Sequence, residues 1–97
     1  MNKETAVSIH FLDKDRYPQA QNFYESVGYH QPIQLDDLVV AAELDSKISG
    51  VVRLAFENDC IVLRGMMVAP TLQRKGVGTM MLRELERHMG SRDVYGI

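Results

Sequence analysis

Little in this sequence points to a disulfide, a membrane or a polyanion. Its 97 residues include one cysteine, Cys60, so no intrachain disulfide can form. The apolar neighbours Ile61 and Val62 make Cys60 read as a small core residue rather than a reactive thiol. Long apolar runs are missing too: a stretch such as Leu38 to Ala42 falls far short of the roughly 20 residues that a membrane helix requires. Met1 to Thr5 leads into a brief apolar segment before Asp13-Lys14-Asp15-Arg16, without the long apolar region and cleavage site of a secretory signal, and the chain reads as cytoplasmic. Eleven Lys and Arg against 13 Asp and Glu leave a net charge of −2, with the basic residues scattered, which argues against nucleic acid as a partner. No metal is expected.

What is present is the balance of one soluble globular domain, 45% hydrophobic and 25% charged. Ala6 to Leu12 reads as a strand. A short amphipathic helix follows, capped by Asp15, with Pro18 in its first turn, Ala20, Phe23, Tyr24 and Val27 at helical spacing, and Gly28 as its stop. After a connection around Asp36-Asp37, Val39–Leu44 and Ile48–Phe56 read as strands joined by a hairpin at Asp45-Ser46-Lys47. Asn58-Asp59 marks the next turn and Cys60–Val68 a third strand, with Gly65 inside it as a mark of a bulge or of close backbone approach. Pro70 ends that strand. From Gly76 to Met89 the apolar residues recur at three- and four-residue steps, with Arg83, Arg87 and His88 towards the end and Gly90 as the stop. Val94 to Ile97 has strand character. The expected fold is α+β, an antiparallel β-meander with helices packed on it, in a single domain spanning residues 1–97.

The informative segment is Gln73-Arg74-Lys75-Gly76-Val77-Gly78-Thr79, which leaves the third strand and enters the long helix through two glycines. Glycine lets a ligand approach the backbone. The free N–H groups and dipole of a helix start make an anion site, to which Arg74, Lys75 and the Thr79 hydroxyl can contribute. Two familiar phosphate loops are rejected by spacing. In a nucleoside-triphosphate loop the lysine follows its glycine, whereas Lys75 precedes Gly76. A dinucleotide fingerprint needs a third glycine where Met81 stands, and a βαβ unit where a meander is read.

Val68-x-Pro70 followed by Gln73, Gly76 and Gly78 resembles motif A of the GNAT superfamily of acyl-CoA-dependent N-acetyltransferases. Together with the upstream hairpin the resemblance covers roughly residues 38–95. It implies acetyl-CoA as co-substrate. The pyrophosphate would lie on the amides of Gln73, Arg74, Lys75, Gly76, Val77, Gly78 and Thr79, and the pantetheine arm would run along the backbone of Met66, Met67 and Val68. It also implies transfer of an acetyl group to a small-molecule or protein amine.

Such a transfer needs a base for the ammonium, a proton for the thiolate and stabilisation of the oxyanion. Carboxylates for the base are scarce near the third strand: Glu57 and Asp59 at the preceding turn are weak candidates, and Tyr24 is a weak candidate for the acid. The family continues past motif A through a portion called motif B, whereas this sequence ends at Ile97. The expected domain is therefore an acyl-CoA N-acyltransferase fold truncated at its C-terminus. A meander with one long helix should leave an apolar face and an unpaired terminal strand, and both invite a homodimer. The alternative to an enzyme is a non-catalytic acyl-CoA-binding or dimeric interaction module derived from the same fold.

Overall fold

The computed structural model describes residues 7–89, together with the backbone of residues 95–96. Five strands form one sheet in sequence order: β1 (Val7–Phe11), β2 (Leu38–Leu44), β3 (Lys47–Glu57), β4 (Cys60–Val68) and β5 (Tyr95–Gly96). β1 to β4 pair antiparallel. Both hairpins close through two residues in the left-handed region, Asp45 and Ser46 at φ 53° and 65°, then Asn58 and Asp59 at 50° and 64°. That geometry matches the twist of the flanking strands and favours short polar residues. β5 is different. It pairs parallel to β4, Tyr95 opposite Val62 and Gly96 opposite Leu63. The return is made by α2 (Val77–Met89), as a parallel connection requires.

The terminal strand therefore finds its partner within the chain, correcting the expectation that it must seek a second copy; Val94 and Ile97 lie outside the described residues, as does Gly90. The crossover also means that β4, α2 and β5 form a βαβ unit, so the dinucleotide fingerprint is rejected by glycine spacing alone.

Two helices cover the sheet, one on each face. α1 (Tyr17–Ser26) lays Tyr17, Ala20, Phe23 and Tyr24 on Val39, Ala41, Ile48 and Val51. α2 lays Val77, Met81, Leu85 and Met89 on Val40, Ala42, Val52 and Leu54. The apolar face predicted to want a partner is thus already covered, because the short first helix is a complete packing layer. It begins one residue later than a cap at Asp15 implies. A 3₁₀ turn (Lys14–Arg16) precedes it, Arg16 occupies the N-cap position without a side-chain cap bond, and Pro18 stands in the first turn, so Asp15 is not the cap. Gly28, at φ 84°, ends the helix, and Tyr29 N donates back to Tyr24 O at 2.9 Å.

Cys60 is exposed at the first position of β4, beside the hairpin tip, and not in the core. Ile61 packs on the α2-side core and Val62 is buried, whereas Cys60 pairs with Glu57 at the exposed hairpin end of the sheet.

A bulge in β4 positions everything that follows. Arg53 pairs with Arg64 and Val51 with Met67, so Gly65 and Met66 together stand opposite Val52. The extra residue reverses the alternation: Ile61 and Leu63 face the α2 layer before it, Met66 and Val68 after it. Gly65 has φ 66°, a conformation that L side chains rarely adopt.

Candidate functional site

Beyond the bulge, β4 runs from Met66 to Val68 and turns through a 3₁₀ segment (Pro70–Leu72) into the loop before α2. Arg74 and Gly76 both have positive φ, 69° and 77°, which folds the segment into a tight concavity. The first helical bond is Met80 N to Gly76 O at 3.0 Å. The amides of Gly76, Val77, Gly78 and Thr79 consequently donate to no backbone carbonyl among the described residues. Arg74, Lys75, Gly76 and Thr79 are exposed, Gly78 is half-buried, and Val77 turns inward as the anchor of the helix start.

A Cβ at Gly76 would meet nothing within 4 Å, whereas one at Gly78 would point across to Met66 Sδ at 3.8 Å. A side chain at Gly78 would therefore project into the space between the helix start and the β4 edge. The Gln73 side chain is already committed, since its Nε2 donates to Val68 O at 3.0 Å and ties the loop to the strand. Its contribution is to shape the loop rather than to reach outward.

Met66, Met67 and Val68 are half-buried; Met66 and Val68 pack towards the α2 layer and Met67 towards the α1 layer. β5 pairs only with Val62 and Leu63, so from Arg64 onward the outer edge of β4 has no strand beside it among the described residues. Apart from Val68 O, which Gln73 occupies, its outward backbone groups there are available to pair with an extended ligand. That open edge leads straight to the loop of free amides.

The three candidates for proton transfer separate. Glu57, at the end of β3, accepts two hydrogen bonds from Arg64, at 2.6 Å from Nε and 2.7 Å from Nη2. The guanidinium holds the Glu57 carboxyl below its usual value. Asp59 is exposed at the hairpin tip, on the far side of the bulge along β4 from the loop. Tyr24 comes to the bulge: it is fully buried, and its hydroxyl would lie 2.6 Å from a Cβ at Gly65. Burial pushes the Tyr24 hydroxyl well above its ordinary value.

Beside the bulge, on the α1 side, is a cleft of about 540 Å³ lined by residues that include Tyr29, Gln34, Asp36, Arg53, Phe56 and Arg64. Its wall contains a pair that the sequence reading missed. Asp37, 1% exposed, accepts from Arg53 Nη1 at 2.8 Å and from the Gln34 amide at 2.8 Å, while Arg53 also reaches Tyr29 Oη at 3.4 Å. The clue was available, because an arginine inside the apolar run Val51-Val52-Arg53-Leu54-Ala55 requires a buried partner.

A bulged strand, an open edge past the bulge and a glycine loop at a helix start thus follow one another along the chain. The model of the acetyltransferase (GNAT) family matches residues 8–97, and the chain belongs to that family. An aminoglycoside N-acetyltransferase solved in complex with CoA superposes with a TM-score of 0.76 at 16% identity, over 100% of this chain and 80% of that one. An aminoglycoside acetyltransferase from an uncultured soil metagenomic sample, in complex with sisomicin, gives 0.67 at 18% identity over 94% and 76%. An acetyltransferase of Trypanosoma brucei gives 0.66 at 13% identity over 95% and 82%. At these identities the likeness is one of fold. No curated protein sequence matches the chain. Among the described residues there is no group of His, Cys, Asp and Glu able to hold a metal ion, and no helix long and apolar enough to cross a membrane.

Proposed function

We propose that this chain is an N-acetyltransferase that takes acetyl-CoA as donor and an amine as acceptor. The observation that carries the reading is the continuity of the open β4 edge after Gly65 with the four free amides from Gly76 to Thr79. A diphosphate suits the loop, with Arg74 and Lys75 as mobile countercharge, and an extended pantetheine arm suits the edge of Met66, Met67 and Val68. The thioester then falls at the bulge, and the cleft beside it receives the amine. The amine nitrogen attacks the thioester carbonyl, the C–S bond breaks, and the proton lost by the amine is returned to the thiolate. Structures related in fold include enzymes named for aminoglycosides, which are polyamines, and a polar cleft containing the exposed Asp36 suits a cationic acceptor.

The test is titration with CoA. Gly78→Val should abolish binding while the circular dichroism spectrum and melting temperature stay close to those of the wild type, because the new side chain enters the ligand path and not the core. A folded Gly78→Val protein that binds CoA as tightly as wild type would end the loop assignment.

One observation favours a second reading, a non-catalytic acyl-CoA-binding module: Glu57 and Asp37, two of the carboxylates that line the cleft, are both engaged by arginines. Thiol release with acetyl-CoA and a panel of amines separates the two, since binding without release selects the module. The proposal also places the protein in the cytoplasm as a homodimer. Support for the dimer is reduced to the outer edge of β1, which has no neighbouring strand among the described residues. Sedimentation equilibrium decides, and a mass of 11.0 kDa at every concentration removes the dimer.

A further inference from the structure

Among the described residues, two buried side-chain atoms have no hydrogen-bond partner, and they lie in one cluster: the Tyr24 hydroxyl and Arg53 Nε. Tyr24 has no exposed surface and Arg53 only 5%. An unpaired buried hydroxyl costs stability that phenylalanine in the same space would not. The hydroxyl is nevertheless directed at one place. A Cβ on Gly65 would stand 2.6 Å from Tyr24 Oη and 3.0 Å from two carbons of the Tyr29 ring. The two tyrosine rings meet at 4.5 Å between centroids, and together they form a floor beneath the β4 bulge. Arg53 touches that floor through Tyr29 Oη and is itself held by Asp37. It also pairs in register with Arg64, the last matched residue before the bulge. A chain of contacts thus runs from the connection between α1 and β2 to the point where β4 departs from regular pairing.

We propose that Tyr24, packed on the Tyr29 ring that Arg53 and Asp37 hold, is a positioning residue that fixes the bulge at Gly65 and Met66 and through it the acyl end of the donor. The proposal rests on the reading that acetyl-CoA lies along the open edge of β4. Two residues facing one leave the ladder locally interrupted, so the bulge is set by what packs beneath it rather than by strand pairing. The hydroxyl limits how far Gly65 can sink towards α1, and the missing side chain of Gly65 makes room for the hydroxyl. Lying behind the backbone, Tyr24 does not meet the thiolate. It acts on the reaction through the strand, not as its acid.

The test is Tyr24→Phe, which removes an unpaired polar atom and adds no volume, so it folds. Amide hydrogen exchange at Gly65 and Met66 should rise about tenfold while α2 amides keep their rates. Turnover of acetyl-CoA should fall about tenfold in kcat, with KM for acetyl-CoA and the Kd for CoA within twofold of wild type. Lost turnover without faster exchange at the bulge overturns the proposal in favour of direct contact with the reacting atoms. Faster exchange with unchanged kcat overturns it in favour of a purely structural role, and no change in either overturns it outright. Gly65→Ala supplies an independent check, because its kcat should be partly restored when combined with Tyr24→Phe; additive losses count against the contact. Failure of the underlying reading looks different: a wild-type chain that binds no CoA, or binds it and releases no thiol, fails before any variant is made, and the proposal falls with it.

Discussion

The two faces of the sheet are packed by different chemistry. On the α2 side the buried residues are aliphatic, Val40, Ala42, Val52 and Leu54 against Val77, Met81 and Leu85. On the α1 side buried aromatics share the interior with charge: Tyr17, Phe23 and Tyr24 lie in the same layer as the Asp37–Arg53 pair, and Glu43 is held at its margin by Arg16 and His10. Apolar burial is non-directional, and it is sufficient where the task is to hold a helix so that its first turn faces outward. Buried ions are costly to desolvate but directional, and they sit on the side where a bulge and a cleft must be held in one arrangement. The loop proposed to hold the donor therefore rests on the simpler face, and the proposed site of chemistry on the more demanding one.

The largest expected effect tests that contrast directly. Asp37→Ala leaves Arg53 buried without its partner and should cost about 3–5 kcal/mol in urea denaturation. Met81→Ala on the opposite face creates a cavity at a fully buried position and should cost about 2–5 kcal/mol. If Met81→Ala proves the more damaging change, the α1 face does not depend on its ion pair and the comparison fails.

A smaller effect concerns acid. Glu43 accepts from Arg16 at 2.8 and 3.0 Å and lies 2.7 Å from His10 Nε2. The hydrogen bond from Arg16 is the main cause that holds its carboxyl below the ordinary value of 4.5. A depressed folded-state pKa lends stability that is fully present above the ordinary value and is lost as pH falls through the folded one. The melting temperature of wild type should therefore drop more steeply than that of Glu43→Gln as pH falls below 4.5. Parallel curves would mean that the margin of the α1 face carries no net electrostatic stabilisation.

The smallest effect belongs to the α2 side. Arg74→Ala combined with Lys75→Ala should weaken CoA binding by only about threefold and flatten its dependence on salt, because exposed cations around an amide-built site are screened. Unaltered salt dependence would remove both side chains from the phosphate site. A large loss of affinity would mean that charge, rather than the loop backbone, holds the ligand.

The strands were read from the sequence almost to the residue. Val39–Leu44 was expected where β2 spans Leu38–Leu44, and β4 begins and ends where its turn and its proline predict. α2 starts one residue after the glycine that opens its pattern. These signals are local: alternation, a turn dipeptide, a proline without a donor. The loop was legible for the same reason, since it is built of backbone amides and of residues adjacent along the chain. Asp37 and Arg53 escaped because they stand 16 residues apart and meet only when β3 passes the connection after α1. Cys60 differs from its apolar neighbours because it pairs with Glu57 at the exposed hairpin end of the sheet, where no helix covers it.

The spacing of Gln73, Gly76 and Gly78 after a Val-x-Pro strand end determined, by itself, the family and the place of the loop of free amides, because a helix start offers its amides whatever surrounds it. Tertiary structure decided the rest. Folding α1 against the sheet put Tyr24 under Gly65, the pairing of β3 with β4 engaged Glu57 with Arg64, and the crossover through α2 gave the terminal strand a partner within its own chain. Each of these depends on which residues meet across the sheet, and contacts between distant segments leave no periodicity in the sequence from which they can be read.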